Sequence, residues 1–316
     1  MSWSHVISAF DLLDTPAASG AAVADHWRAH GAADGEVVVE TVTGNGGATD
    51  FVRLTVPGSN GATRGGDAPT LGILGRLGGL GARPEQIGFV SDGDGALTAV
   101  AAGAKILDMR RRGDVLDGDV VVATHIDPDA PTQPHDPVPF MGSVVDQDVS
   151  NAHEVLPAMD AILSVDTTKG NRICNHRGIA ITPAVADGWI LRVPDALLDI
   201  LARTTGLPPV VMPLTMQDIT PYGNGVYHVN SILQPSTATA APVVGVAIVT
   251  EAAVAGSATG ATDLHTVESA VRFVIETAKD YGRGIAAFTD PAEAGRLKEL
   301  YGSMSRLRGA AAAPAS

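Results

Sequence analysis

The sequence predicts an α/β protein in which helices cover both faces of a mixed, mostly parallel central sheet, a three-layer α/β/α sandwich. Three observations predict it. Short apolar runs rich in Val and Ile, bounded by Gly, Pro or Asp, recur along the chain and have the length of buried strands. Between them lie segments whose apolar residues recur at helical spacing, and strands alternating with helices build a parallel sheet, because parallel neighbours need crossover connections. Hydrophobic residues make up 45% of the 316 residues and charged residues only 18%, a balance that buries a large core and excludes disorder for most of the chain.

The elements follow in order. Residues 5–13 are amphipathic, and Ser19 is placed to cap a second helix running through Trp27. Residues 36–42 and 49–56 are rich in Val and Thr and are separated by Gly44-Asn45-Gly46-Gly47, which reads as a hairpin. Residues 70–74 and 86–90 read as short strands. Leu97, Val100, Ala101, Ala104, Ile106 and Leu107 then mark a helix, and it ends at Arg110-Arg111-Arg112, where cations suit the helix dipole. Residues 118–125 form the clearest buried strand and lead into a Pro-rich loop, 128–142. Further strands are expected at 161–165, 179–184, 209–214 and 243–249, and helices at 195–204, 264–281 and 291–307. With no internal repeat and no long linker, residues 1–308 read as one α/β domain, and 309–316, an Ala-rich end with nothing to bury, as a disordered tail.

Composition narrows the function. Thirty-five acidic against 21 basic residues give a net charge of −14, which argues against nucleic-acid binding, since that needs clustered cations and the densest basic run is three arginines. The single Cys174 makes no internal disulfide, no apolar stretch of membrane-spanning length occurs, and residues 1–11 lack the features of a signal peptide. A cytoplasmic protein acting on a small molecule, with no membrane partner and with homo-oligomerisation open, is the expectation.

In a parallel sheet ligands bind at the carboxyl ends of the strands. There the sequence places Ser91-Asp92-Gly93-Asp94-Gly95, Thr124-His125-Ile126-Asp127-Pro128-Asp129, Asp166-Thr167-Thr168 and, at a helix start, Thr262-Asp263-Leu264-His265. Carboxylates and imidazoles delivered by separate elements to one rim are how a hydrolytic divalent-metal site is assembled, although an Asp after a strand is commonly a helix cap.

Phe89 to Val100, the helix it opens and the strand Gly118-Asp119-Val120-Val121-Val122-Ala123-Thr124-His125 resemble the core of the zinc-dependent exopeptidases. The resemblance implies that Asp92 bridges metals, that Asp166 binds the second metal and that His265 is the final His ligand. Zn²⁺ or Mn²⁺, as one or two ions, would be the cofactor. Thr124 to His135 and the continuation Pro137-Val138-Pro139-Phe140-Met141-Gly142 also resemble a bacterial and archaeal family, domain of unknown function 1177, over nearly the whole chain. The peptidase pattern is broken where its Gly-His-x-Asp is matched by Gly75-Arg76-Leu77-Gly78, and where His125, Asp127 and Asp129 stand in place of a Glu-Glu pair. Guanidinium offers no lone pair to a cation. Either a single metal remains, or another His such as His135 rebuilds the first site, or the scaffold has lost peptidase chemistry and Arg76 binds a substrate anion.

The favoured reading is a metal-dependent hydrolase of a small amide or peptide-like substrate, in which metal-activated water attacks a polarised carbonyl. His125, Asp127 and Asp94 are the expected catalytic residues. Arg76, His135, His176, Arg177 and His228 are the expected substrate contacts. Two other readings stand beside it. Asp92-Gly93-Asp94-Gly95 resembles the Asp-x-Asp-Gly of haloacid-dehalogenase-type phosphatases, although Ala96 replaces the usual Thr. A non-catalytic small-molecule-binding protein on a degenerate peptidase scaffold would explain Arg76. His26 and His30, one helical turn apart, are compatible with a metal but read as a solvated face.

Overall fold

A nine-stranded sheet runs through the computed structural model, which describes residues 2–44, 47–76, 78, 89–136, 138–257 and 259–308. Helices α1 (Trp3–Leu13) and α2 (Gly20–Ala29) come first, and the Ser19 side chain caps α2 by accepting from the Ala22 N–H. Strands β1 (Val37–Gly44) and β2 (Gly47–Val56) form the expected antiparallel hairpin. Then follow β3 (Leu71–Gly75), α3 (Asp94–Arg111), β4 (Val120–Ile126), β5 (Thr132–Gln133), β6 (Phe140–Met141), α4 (Gln147–Glu154) and β7 (Ala161–Thr168). The chain continues through β8 (Gly178–Ile181), β9 (Val185–Ala186), β10 (Trp189–Ile190), α5 (Asp195–Thr205), β11 (Val243–Val249), α6 (Leu264–Gly282) and α7 (Pro291–Tyr301).

The sheet order is β1-β2-β4-β3-β7-β11-β9-β10, with β8 also pairing β11. The centre, β4-β3-β7-β11, is parallel and the flanks are antiparallel. One face is covered by α1, α2, α3, α5 and α6 over a core that includes Trp27, Leu54, Ile73, Leu97, Val122, Leu163 and Phe273. The other face buries Leu74, Ala123, Ile162, Met212, Leu233 and Ala247 beneath α4 and irregular chain. This is the α/β architecture expected from the alternating pattern.

α3 lies unusually close to the sheet because its inner face is small. A Cβ on Gly75 would sit 2.4 Å from the Gly95 carbonyl oxygen, and one on Gly95 would sit 2.3 Å from that of Arg76. Glycine at both positions lets the N-terminus of α3 rest on the ends of β3 and β7. Further along, Gly103 leaves room for Trp27, whose indole N–H donates to the Val100 carbonyl at 3.0 Å.

Four expectations change. Phe89 and Val90 belong to no strand, while residues 86–88 of the expected strand 86–90 lie outside the described residues. Residues 209–214 make one bridge, Val211 to Ile181, and no strand, because Pro208, Pro209 and Pro213 remove ladder donors. The strand expected at 179–184 stops at Ile181 before Pro183. The last helix ends at Tyr301, where Gly302 takes a positive φ of 81°. Helix α4 was not expected at all: its eight residues are largely polar, and only its cap Asp146, which accepts from the Val149 N–H, announces it. The expected tail 309–316 and most of the Gly75 to Gly81 run lie outside the described residues. No helix is long and apolar enough to cross a membrane among the described residues.

Candidate functional site

The parallel register places three key positions side by side. Gly75 is level with Thr124 and with Val165, so Arg76, His125 and Asp166 follow at the carboxyl ends of adjacent strands. Side chains alternate across a sheet, and all three therefore point to the face covered by α4.

There the Glu154 carboxylate of α4 is shared. Arg76 pairs with its Oε2 and also donates to Gln147 Oε1, and His125 Nδ1 lies 2.8 Å from its Oε1. Burial alone would raise the Glu154 carboxyl, but Arg76 and His125 hold it below the usual range. The Gly78 N–H donates to His125 Nε2 at 3.1 Å. Nε2 is thus the acceptor, and Nδ1 carries the proton donated to Glu154. The Gly78 carbonyl also accepts from the Asp127 N–H at 2.9 Å. A Cβ on Gly78 would overlap the His125 carbonyl oxygen at 1.5 Å, so only glycine fits there.

These contacts correct two expectations. His125 has both ring nitrogens engaged by protein groups, and its one ring lone pair, on Nε2, accepts from the Gly78 N–H and is not open to a metal or to the proton of a water. Arg76 is 3% exposed and neutralised by Glu154, so its charge is committed inside the protein instead of facing a substrate anion. Asp127 is 1% exposed, and burial pushes its carboxyl up against the opposing pull of His125. It does not line the cavity.

Beyond this network opens a crevice of about 1060 Å³ lined by Asp92, Asp166 and Lys169 at its base, and by His135, Tyr222 and His228 among others. Asp92 sits in the single 3-10 turn Ser91–Gly93 that precedes α3. Its Oδ2 accepts from the Met141 N–H at 3.3 Å, and its own N–H donates to the Gly256 carbonyl at 3.1 Å. Asp94 opens α3, wholly buried, with Oδ1 unpartnered and the Thr262 hydroxyl beside it but unaligned. Asp166 Oδ1 accepts from the Thr167 N–H at 2.7 Å, and Oδ2 from Ser231 Oγ at 3.2 Å.

Burial, with a smaller contribution from Asp92, pushes Asp166 up to about 7. Burial likewise pushes Asp94 up to about 7, with Lys169 opposing. Lys169, missed in the sequence although it directly follows Asp166-Thr167-Thr168, donates to Ser91 Oγ at 2.7 Å and lies 4.0 Å from Asp92 Oδ1. Burial lowers its ammonium, while Asp92, Asp94 and Asp166 pull it up. Three carboxylates therefore share one ammonium, and burial with so little opposing positive charge pushes all three up.

The remaining expected residues divide. His135 and His228 line the crevice, as does the Pro-rich loop through Val138 and Pro139. His228 packs edge-on against Tyr222 with ring centres 4.4 Å apart, and its Nε2 lies 2.9 Å from the Thr220 carbonyl. His176 lies 3.4 Å from the Ile179 carbonyl, and the largely exposed Arg177 pairs with Asp263 at 2.8 Å. Neither lines the crevice. His265 is the clearest departure: it is exposed at the start of α6 and packs edge-on against Trp3, 4.7 Å between ring centres. A helix start near the sheet rim did not bring its side chain to the rim, because Asp263 caps α6 and turns His265 toward α1.

Three carboxylates around one ammonium and the unpartnered Asp94 Oδ1 fit a hard divalent ion, which takes one or two carboxylates and keeps water in its remaining positions. The His-bearing half of a two-metal site does not fit, since Arg76 and His125 are tied to Glu154. Among the described residues, the one trio of possible ligands whose atoms lie within 4.8 Å of one another is elsewhere, at His5, His30 and Asp108.

The sheet order, the small-faced α3 beneath it and a carboxylate-lined crevice at the strand ends define an α/β protein with a mixed, centrally parallel sheet and its cavity at the strand ends. The solved structures it resembles share that fold. They include a glutaminyl cyclase from an Acidobacteriales bacterium (TM-score 0.50, 14% identity, 90% of this chain and 94% of that one). The bottromycin maturation enzyme BotP in complex with Mn follows (0.52, 17%, 89% and 71%). LapA aminopeptidase of Legionella pneumophila matches as well (0.50, 10%, 92% and 71%). The chain itself belongs to the family described as "Protein of unknown function (DUF1177)", matched over residues 40–311. No curated protein matches the sequence at a significant level.

Proposed function

We propose that the crevice is the active site of a hydrolase acting on a small amide or peptide-like substrate, with one divalent cation held by Asp92 and Asp166. The observation that carries this reading is the set of three buried carboxylates, Asp92, Asp94 and Asp166, facing a single ammonium at the strand ends. When bound, a divalent cation there would polarise a carbonyl and activate water. An all-oxygen donor set favours Mn²⁺ or Mg²⁺ over Zn²⁺, and BotP, which has a similar fold, was solved in complex with Mn. Asp94, behind Asp92 with one oxygen unpartnered, is the carboxylate to take up a proton. Lys169 offers its ammonium to a developing oxyanion. His135, His228 and Tyr222 orient the substrate at the walls. His125 and Asp127 support the rim instead of reacting, His125 by fixing Glu154.

The phosphatase reading loses support because Phe89 and Val90, the described residues directly before Ser91-Asp92, belong to no strand. The non-catalytic reading keeps one specific support, Lys169 standing where a cation would. Calorimetric titration of chelator-treated protein with Mn²⁺, Mg²⁺ and Zn²⁺, beside a panel of dipeptides and N-acyl amino acids, separates them. The hydrolase reading expects turnover and a cation bound in the crevice, with Asp166→Asn losing the turnover together with one equivalent of bound cation. A small molecule that raises Tm without cation binding or turnover would establish the binding-protein reading instead.

A further inference from the structure

On the helical face, away from the crevice, α1, α2 and α3 bring an aspartate and three histidines together. His5 Nε2 lies 2.9 Å from Asp108 Oδ2, and His30 Nδ1 lies 3.2 Å from Asp108 Oδ1. One ligand atom from each of His5, His30 and Asp108 falls within 4.8 Å of the other two. His5 and Asp108 are buried, and His30 is half-buried at the C-terminus of α2. The sequence alone left His26 and His30 as a solvated face, because nothing local shows that α1 and α3 pack over them.

His5 Nε2 is bonded to Asp108, but two other ring nitrogens are not spent on the protein. His30 Nδ1 is close to Asp108 but not aligned for a hydrogen bond, and His26 Nε2 is buried with no partner. The rings of His26 and His30 stand 4.7 Å apart and those of His5 and His30 5.5 Å apart. Burial, aided by His30 and His5, holds His26 down at about 4, and burial lowers His5 although Asp108 opposes it. Neutral imidazoles are the form that ligates metals. Two cations face the cluster: Arg111 pairs with Asp108 Oδ1 at 2.8 Å from a largely exposed position, and Lys105 acts on His5. Arg111 leaves Oδ2 for a ligand.

We propose that His5 Nε2, His30 Nδ1 and Asp108 Oδ2 form a site for one divalent transition-metal ion, distinct from the crevice, that clamps α1, α2 and α3 together. Two imidazoles and a carboxylate are the donor set of Zn²⁺, with water as the fourth ligand and His26 Nε2 as that water's acceptor. Binding needs the Nε2 proton of His5 to move to Nδ1, where Ser4 Oγ stands 3.5 Å away. The proton is kept and only the tautomer changes.

The test is titration of chelator-treated, untagged full chain with Co²⁺, read by visible absorption and by Tm. Asp166→Asn removes the proposed crevice ligand, so that variant isolates this site and separates its fate from that of the proposed activity. It is expected to bind one Co²⁺ with the intense absorption of a four-coordinate site and to gain Tm on loading. His30→Gln, at a half-buried position, should keep the metal-free Tm, lose the absorption and bind at least about 100-fold more weakly. Asp108→Asn should lose the absorption in the same way. Absorption retained in His30→Gln, or absent from Asp166→Asn, overturns the proposal.

Discussion

His125 Nδ1 and Glu154 Oε1 meet at 2.8 Å, and the second oxygen of that carboxylate pairs with Arg76. A residue expected at the catalytic centre is thereby tied to one from a helix the sequence barely announces. Glu154→Gln would leave the Arg76 guanidinium buried without a counter-charge. Breaking such a pair costs about 3–5 kcal/mol, so urea denaturation should show a loss of that size. An unchanged midpoint would mean that the ion pair contributes nothing.

The acidic base of the crevice should make the metal-free protein sensitive to pH. Asp166 has a folded value of about 7 against an ordinary 3.8, chiefly through burial. Between those values the folded form holds a proton that the unfolded chain has released, so stability is fully present below about pH 4 and lost as pH rises toward 7. The limit for one such group is of order 4 kcal/mol. Asp166→Asn removes this dependence, and with chelator present it should be more stable than wild type at pH 8 but not at pH 4. Parallel denaturation curves at the two pH values would count against a proton held at Asp166.

Gly256 presses on Asp92: a Cβ there would lie 1.8 Å from Asp92 Oδ2. Gly256→Ala must push the carboxylate or the loop aside, at a cost of about 1–3 kcal/mol. Mn²⁺ affinity should fall by more than tenfold while the far-ultraviolet circular dichroism stays that of wild type. Unaltered affinity would show that Asp92 is not needed in its present position.

Lys169 lies 4.0 Å from Asp92 and competes with any cation for the same carboxylates. Unit charges at that distance interact by about 4 kcal/mol at an effective dielectric of 20. Lys169→Met should therefore tighten Mn²⁺ binding by at least about tenfold and, if the ammonium stabilises an oxyanion, lower turnover at saturating cation. Weaker Mn²⁺ binding in the variant would reverse the competition argument.

The central framework is legible in the chain's local pattern. Apolar runs such as Val120 to Ala123 and Val243 to Val249 are strands because their side chains are buried on both faces of the sheet. Gly75, Gly95 and the alanines of α3 let a helix approach the backbone closely enough to set Asp92 and Asp94 at the rim. Periodicity and the carboxyl-end rule point to Asp92 and Asp166, and loop position to His135 and His228; all four line the crevice.

Which polar groups meet is set by how distant elements pack. Glu154 comes from a short polar helix with a weak hydrophobic pattern, and Lys169 resembles any solvated lysine until Asp92, Asp94 and Asp166 are seen around it. His265 sits at the right place in the chain and the wrong place in space, because capping by Asp263 and packing on Trp3 set its direction. His5, His26, His30 and Asp108 meet across as many as 103 residues of sequence. Hydrophobic burial depends on local pattern and is legible in a single chain. Partner choice among charges depends on the packing of distant elements, with interaction energies that change steeply over a few ångströms.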